Sequence, residues 1–128
     1  MNSSAARYAV FASFLLHGTL LGAWAPHIAL AKERLGAGPG LFGFALLSLP
    51  LGAVIAMPLA GAMINRFGSA KLTLIGGILF CLTVLGPPHA PTLPLFILAG
   101  ILLGASIGTM DVAMNAHGLA AERALKSP

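Results

Sequence analysis

The chain has 128 residues and a formal net charge of +4, yet only seven residues are Lys or Arg, only three are Asp or Glu, and 58% are hydrophobic. So few charges cannot cover the surface of a soluble domain of this size, which excludes a water-soluble protein. The basic residues are scattered between apolar runs, so the composition predicts an integral membrane protein and no surface for nucleic acid.

The predicted elements are four membrane-spanning helices, which make the fold class an all-α membrane protein. Uncharged apolar runs of about 20 residues are the mark of such helices. We place the spans at about residues 8–30, 41–64, 70–87 and 93–117. The third is the shortest, because only its fifteen residues from 72 to 86 are cleanly apolar.

The first span has some features of a secretory signal. Arg7 precedes an apolar stretch that ends in the small-x-small pattern Ala23-Trp24-Ala25. Pro26 disfavours cleavage at that site and three further spans follow, so we predict an uncleaved helix that Pro26 weakens or bends. Trp24 is expected to be an interfacial anchor, with stacking on a substrate as the alternative.

The connections predict the orientation of the chain. We interpret AKERLGAGPG and NRFGSAK as loops and GPPHAPT as a turn. An even number of spans places both termini on one side, together with the loop around residue 66. That side carries five Lys or Arg and the opposite side two, which favours both termini in the cytoplasm.

The fourth span carries most of the candidate functional residues. Gly100, Gly104 and Gly108 recur every four residues, so they form a stripe where a neighbouring helix can approach closely. Asp111 and Asn115 fall on the same broad face at 3.6 residues per turn. An aspartate inside a bilayer costs about 2.5–3.5 kcal/mol. Asp111 is therefore a candidate proton- or substrate-binding group, the alternative being a hydrogen bond to a neighbouring helix near the cytoplasmic end.

Two residues of the other spans have chemistry of interest. His17, in the first span, is a candidate proton-relay partner of Asp111, or else a histidine satisfied by a backbone carbonyl. Cys81 is the only cysteine, so there is no disulfide framework, and we expect it to be a buried small hydrophobic residue. The His, Cys and Asp spacings predict no metal site, no cofactor and no enzyme active site.

The segment GAMINRFGSAK resembles the loop signature of the major facilitator superfamily, Gly-x-x-x-Asp-Arg-x-Gly-x-x-(Arg/Lys), between that family's second and third helices. Gly61, Arg66, Gly68 and Lys71 match the signature, and Asn65 replaces its acidic residue. In the family, the acidic and basic residues lock neighbouring helices together and stabilise the outward-facing state. With a neutral Asn65 the resemblance implies a weaker lock.

Two further stretches look similar to a bacterial branch of this superfamily. The region from GAWAPHIALAKERLG to MINRFG resembles the branch's first two helices, and GASIGTMDVAMNAHGLAAER resembles its fourth helix and is distantly similar to fucose permease. In the fucose-permease type an acidic residue of the fourth helix takes part in proton coupling, with an Asn one turn on, and these roles fall on Asp111 and Asn115. The first span has no Asp or Glu, so sugar specificity is not implied.

The resemblance implies that residues 1–128 are a partial N-terminal transporter domain. The family has twelve helices in two six-helix halves with the substrate site between them, and the four predicted helices correspond to the first four. We therefore expect a truncated product, a gene fragment, or a chain that assembles with the missing remainder or with itself. The expected function is transport of a small solute through the bacterial inner membrane, proton-coupled in a longer transporter, with this chain inactive alone.

Two other functions remain open at this point. A small four-span exporter acting as a dimer has a similar size, but that class depends on an acidic residue in its first helix. A non-transporting subunit or assembly partner would bind through the glycine stripe of the fourth span.

Overall fold

The computed structural model describes residues 3–126, and nearly all of them are helical. The helices are α1 (Ser3–Leu35), α2 (Pro39–Leu46), α3 (Ser48–Phe67), α4 (Ser69–Thr83), α5 (Gly86–His89) and α6 (Leu93–Lys126). Four stretches are long and apolar enough to cross a membrane: Ser4–Leu35, Pro39–Phe67, Ser69–His89 and Leu93–Lys126. The predicted all-α fold with four membrane-spanning helices is confirmed.

The first connection is much shorter than the predicted loop AKERLGAGPG. Helix α1 continues to Leu35, and only residues 36–38 separate it from α2. The prediction of a loop over the whole segment is wrong because Ala, Lys, Glu, Arg and Leu all favour helix, so the first break comes at Gly36. Gly36 has a φ of +62°, a conformation that glycine adopts without steric cost. Helix α1 is also continuous through Pro26.

The second span consists of two helices that meet at Leu47. The amide of Leu47 donates to Phe44 over a tight three-residue turn, and regular helix resumes at Ser48. Pro50 explains the position of the break. It lies in the first turn of α3, where backbone N–H groups have no acceptor within the helix, so a proline there loses no helical hydrogen bond. Pro58 lies inside α3 without ending it.

The predicted turn GPPHAPT begins with the short helix α5, and only residues 90–92 are non-helical. The Arg34 guanidinium, at the end of α1, donates to the carbonyl oxygens of Ala90 (2.7 Å) and Pro87 (3.3 Å). Both carbonyls lie at the end of α5, where the Pro87 oxygen also accepts from the Ala90 N–H. Arg34 therefore ties the end of α1 to the connection between α4 and α6.

Helix α6 lies at the centre of the bundle and contacts all five other helices, α3 and α4 most extensively. Its fully buried side chains Phe96, Leu103 and Met110 form the core together with Phe80 of α4. Trp24 joins this core at 5% exposure and packs on Phe96 with ring centroids 6.4 Å apart. The prediction that Trp24 is an interfacial anchor is therefore wrong, since α1 turns this side chain toward α6.

Large apolar side chains cover the outside of the bundle, among them Leu51, Val54, Leu74 and Leu82. Such a surface suits hydrocarbon, and the chain is a multi-pass membrane protein. Cys81 lies on this outer surface. The prediction that Cys81 is buried is wrong, because the face of α4 toward α6 is formed by Gly76, Gly77 and Phe80 instead.

Candidate functional site

The main polar contact inside the bundle joins α1 to α6. His17 Nε2 lies 3.0 Å from Asp111 Oδ1, which is within ion-pair distance. The His17 side chain is 8% exposed and that of Asp111 is 36% exposed, so the carboxyl group lies at the edge of the bundle with one oxygen turned toward the buried imidazole. The structure thus brings together two of the residues that the sequence selected.

The surroundings of His17 are apolar. The Phe80 ring packs on the imidazole edge-to-face, with centroids 5.2 Å apart and an angle of 66° between the planes. The second ring nitrogen, Nδ1, is buried and has no hydrogen-bond partner among residues 3–126. Sequence reasoning missed Phe80, because nothing in an apolar run indicates which aromatic residue contacts a histidine of another helix.

Asn115 lies one helical turn beyond Asp111, and its amide turns back onto its own helix. The Asn115 Nδ2 group donates to the backbone carbonyl oxygen of Asp111 over 2.7 Å. The structure therefore places the amide beside the Asp111 backbone, whereas the Asp111 carboxylate lies against the His17 imidazole of α1. Asn115 is exposed on the uncovered side of α6.

The glycine stripe of α6 lies directly against α3. A Cβ atom on Gly104 would overlap the backbone carbonyl of Leu49, and one on Gly108 would stand 2.9 Å from the Cα of Ala53. A Cβ on Gly100 would overlap the hydroxyl of Ser48, whose Oγ is buried and has no hydrogen-bond partner within the described part of the chain. The two backbones are therefore as close as the absence of these side chains allows.

The loop motif joins α3 to α4 on the surface of the bundle. Gly68 links the two helices with a φ of +87°, a conformation that favours glycine, whereas Gly61 lies in α3 with open space around it. Asn65 is exposed. The Phe67 ring has Arg66 at 5.7 Å and Lys71 at 5.8 Å from its centroid.

Cation–π contacts thus hold both basic residues of the motif, and within residues 3–126 neither takes part in an ion pair. Such contacts contribute about 0.5–1 kcal/mol at exposed sites. Phe67 was not among the predicted motif residues, although its place between the two cations in NRFGSAK was the available signal.

Neither a metal site nor a catalytic constellation emerges from the described residues. Residues 3–126 contain no group of three or more His, Cys, Asp or Glu side chains able to hold a metal ion. The chemistry available at the His17–Asp111 pair is the binding of a proton or of a hydrogen-bond donor by a carboxylate at the edge of a membrane-embedded bundle.

These features define a class: a multi-pass membrane protein with closely packed glycine-rich helices and a titratable pair inside the bundle. The sequence profile of the Major Facilitator Superfamily matches residues 8–117. The chain belongs to this family. Its four spans, and the loop signature between the second and third, are the features that the resemblance predicted.

Several curated proteins are similar to the chain. An uncharacterized transporter, y4wD, of Sinorhizobium fredii is 34% identical over 119 residues, which cover 93% of this chain and 32% of that protein. An uncharacterized MFS-type transporter of Yersinia pestis is 32% identical over 88% of this chain and 29% of its own length. A D-xylose transporter of Levilactobacillus brevis is 29% identical over 73% of this chain and 21% of its own length.

The chain thus spans less than a third of the length of each of these relatives. No solved structure matches it.

Proposed function

We propose that this chain forms the first four helices of a transporter that moves a small solute across the bacterial inner membrane in exchange for, or together with, a proton. The observation that carries the proposal is the contact of Asp111, at the edge of the bundle, with the buried His17. Ionisable residues at membrane depth are expensive, and they are typical of proton and substrate pathways.

Asp111 is the proposed proton-binding residue. Its carboxyl group lies 3.0 Å from the His17 imidazole and is 36% exposed, so it is open to a proton or a solute. In a transporter of two halves, the cavity for substrate lies between them. Asn115 is exposed one turn further along α6, so its amide is the proposed group for orienting a solute beside the carboxyl group.

The nature of the solute is proposed only as a class. The related D-xylose transporter and a putative metabolite transport protein of Bacillus subtilis, 33% identical over 94 residues, favour a small polar metabolite. A relation to the fucose-permease branch rests on the stretch from Gly104 to Arg123 and is part of the proposal.

The proposed topology places both termini in the cytoplasm. Arg66 and Lys71 are exposed at the α3–α4 connection, on the same side as Arg7 and Arg123, and the positive-inside rule assigns this side to the cytoplasm. Arg34 is one of the basic residues on the opposite side of the membrane. There its guanidinium donates to carbonyl oxygens at the end of α5.

The test uses a transporter that contains these 128 residues together with the remaining helices. Asp111→Asn should abolish uptake driven by a proton gradient in proteoliposomes and leave the amount of folded protein unchanged. The matched control is Glu122→Gln, which also removes one carboxylate but at an exposed position paired with Lys126. Proton-driven uptake that survives Asp111→Asn would refute the assignment.

The 128-residue chain by itself should give no uptake in the same vesicles, because alternating access requires two halves that move against each other. Robust uptake by this chain alone would instead favour a small exporter acting as a dimer.

A further inference from the structure

An open groove runs between the first turns of α1 and the last turns of α6. The two helices are antiparallel here, since His17 lies against Asp111 and a Cβ atom on Gly118 would stand 3.6 Å from Val10 Cγ1. The groove has a volume of about 690 Å³. Its lining includes Arg7, Tyr8, Phe11 and Phe14 of α1 and Gly118 and Glu122 of α6.

The groove changes from polar to apolar along its length. Arg7 and Glu122 are exposed at the end of the bundle. Phe11 and Phe14 follow further along α1, and they are 67% and 44% exposed. At a rise of 1.5 Å per residue, Phe14 lies about 10 Å further into the span than Arg7. Opposite these rings α6 presents Gly118, which has no side chain to fill the space. A polar end above an apolar wall matches the polarity of a phospholipid.

The exposed rings favour a ligand with a hydrocarbon chain. Both helices are long and apolar enough to cross a membrane, so Phe11 and Phe14 lie in segments that face lipid or protein. A free phosphate ion would leave both rings uncovered, whereas an acyl chain would cover them. Tyr8 is 75% exposed and combines an apolar ring with a polar tip, as is typical of residues at the membrane boundary.

The charges at this end of the groove favour an anionic head group. Arg7 takes part in no ion pair among residues 3–126, whereas Glu122 is paired with Lys126. With Arg123, these last turns and the start of α1 carry three basic residues and one acidic residue. The planar guanidinium of arginine matches the geometry of a phosphate group, and basic pockets between spanning helices bind anionic lipid head groups.

We propose that the groove between α1 and α6 binds one anionic phospholipid, with its phosphate at Arg7 and an acyl chain along Phe11 and Phe14. The lipid would hold α1 against α6 near their ends. Within the described part of the chain, the ion pair of His17 with Asp111 is the only one that joins these two helices. The inference goes beyond the proposed transport function and does not depend on it.

The test is native mass spectrometry of the 128-residue chain, released from nanodiscs that contain equal amounts of phosphatidylglycerol and phosphatidylethanolamine with the same acyl chains. The two lipids differ in mass and in net charge, so the bound lipid is identified directly. The chain should retain one phosphatidylglycerol in preference to phosphatidylethanolamine. Equal retention of the two lipids would overturn the proposal.

The head-group contact is tested by Arg7→Gln. This variant should lower the ratio of bound phosphatidylglycerol to bound phosphatidylethanolamine about fivefold, the effect of one basic residue at an anionic membrane surface. Arg123→Gln is the matched control, because it removes the same charge from the same end of the bundle at an exposed residue outside the groove lining. An equal loss in both variants would show general surface attraction and would contradict a site at Arg7.

The acyl-chain contact is tested by Phe11→Ala, which should reduce retention of both lipids. Its control is Phe44→Ala, since Phe44 is 72% exposed on α2 and lies outside the groove lining. The same loss in both variants would place the lipid elsewhere. A dimer that retains no lipid would also overturn the proposal, because a second copy of the chain would then fill the groove.

A transporter that contains these 128 residues and the remaining helices should show the same effect of Arg7→Gln. No effect there would overturn the proposal and would mean that other helices occupy the groove. These measurements involve no transport. Failure of lipid selection therefore leaves the effect of Asp111→Asn on uptake as the test of the proposed function, and failure of proton coupling leaves the lipid site in place.

Discussion

Replacing Gly104 with alanine should force α6 away from α3. The added Cβ would overlap the carbonyl oxygen of Leu49 and would stand 2.7 Å from the carbonyl carbon and 2.9 Å from the Cα. Ordinary contacts begin near 3.4 Å, so the helices would have to separate by well over half an ångström. The obstacle is backbone, which cannot rotate out of the way as a flexible side chain can.

The magnitude follows from the cost of overfilling a packed interface. Insertion of a methyl group into such a contact destabilises by roughly 1–3 kcal/mol. The helix propensity of alanine acts in the opposite direction by about 1 kcal/mol in water. Gly22→Ala in α1 is the matched control, because it makes the same change in a helix interior with nothing within 4 Å of the new atom. The free energy of unfolding of Gly104→Ala should be lower than that of Gly22→Ala by roughly 1–3 kcal/mol or more.

The single tryptophan provides the assay. Trp24 is 5% exposed and packs on Phe96 of α6, so its fluorescence reports on opening of the core. Both variants would be unfolded by titration of mixed micelles with sodium dodecyl sulfate, and the midpoints and slopes compared. If Gly104→Ala were as stable as Gly22→Ala, the close approach of α6 to α3 would be refuted.

The remaining predictions concern the core and the end of α1. Leu103→Ala, at a side chain that is 0% exposed, should destabilise the bundle by roughly 2–5 kcal/mol in the same assay. Its neighbour Leu102 is 53% exposed, so Leu102→Ala should cost much less, and equal effects would contradict the orientation of α6. Arg34→Gln should lower the free energy of unfolding by about 1 kcal/mol, because two carbonyl oxygens lose a charged donor. Lys32→Gln removes the same charge from the same helix, and an equal loss in both would show that charge, and not the hydrogen bonds, is responsible.

The number of spans and the fold class could be predicted from the sequence because they depend on length and polarity alone. An uncharged run of about 20 residues crosses a bilayer whatever its neighbours are. The ends of the helices were less predictable. Residues 31–35 were assigned to a loop on their charge and on the glycines beyond them, but charged residues continue a helix once it has left the hydrocarbon.

The rotation of each helix about its axis was harder to predict. Helix α1 is apolar on nearly all sides, so its pattern does not show which face turns inward. This is why Trp24 was placed at the interface and proved to be in the core, and why Cys81 was placed inside and proved to be outside. The glycine stripe of α6 was more informative, because small residues at intervals of four leave room on one face only.

In the candidate site, too, the sequence predicted the important residues but not their contacts. Asp111 stands out in the sequence because a carboxylate in an apolar helix is costly, and His17 because a polar ring interrupts an apolar run. Their contact at 3.0 Å depends on the distance between α1 and α6. The packing of the Phe80 ring on the imidazole likewise depends on how α4 lies against α1.

The sequence by itself therefore determined that this protein is a helical membrane protein with four spans, and which residues in them are out of place in hydrocarbon. Only the tertiary structure decided which of those residues meet, and that the Nε2 atom of His17 faces Asp111 while its Nδ1 atom is buried. The physical reason is that transfer into a membrane is a property of each residue and adds along the chain. A contact such as that of His17 with Asp111 requires two groups from distant segments, and the packing of α1 and α4 on α6 sets their positions.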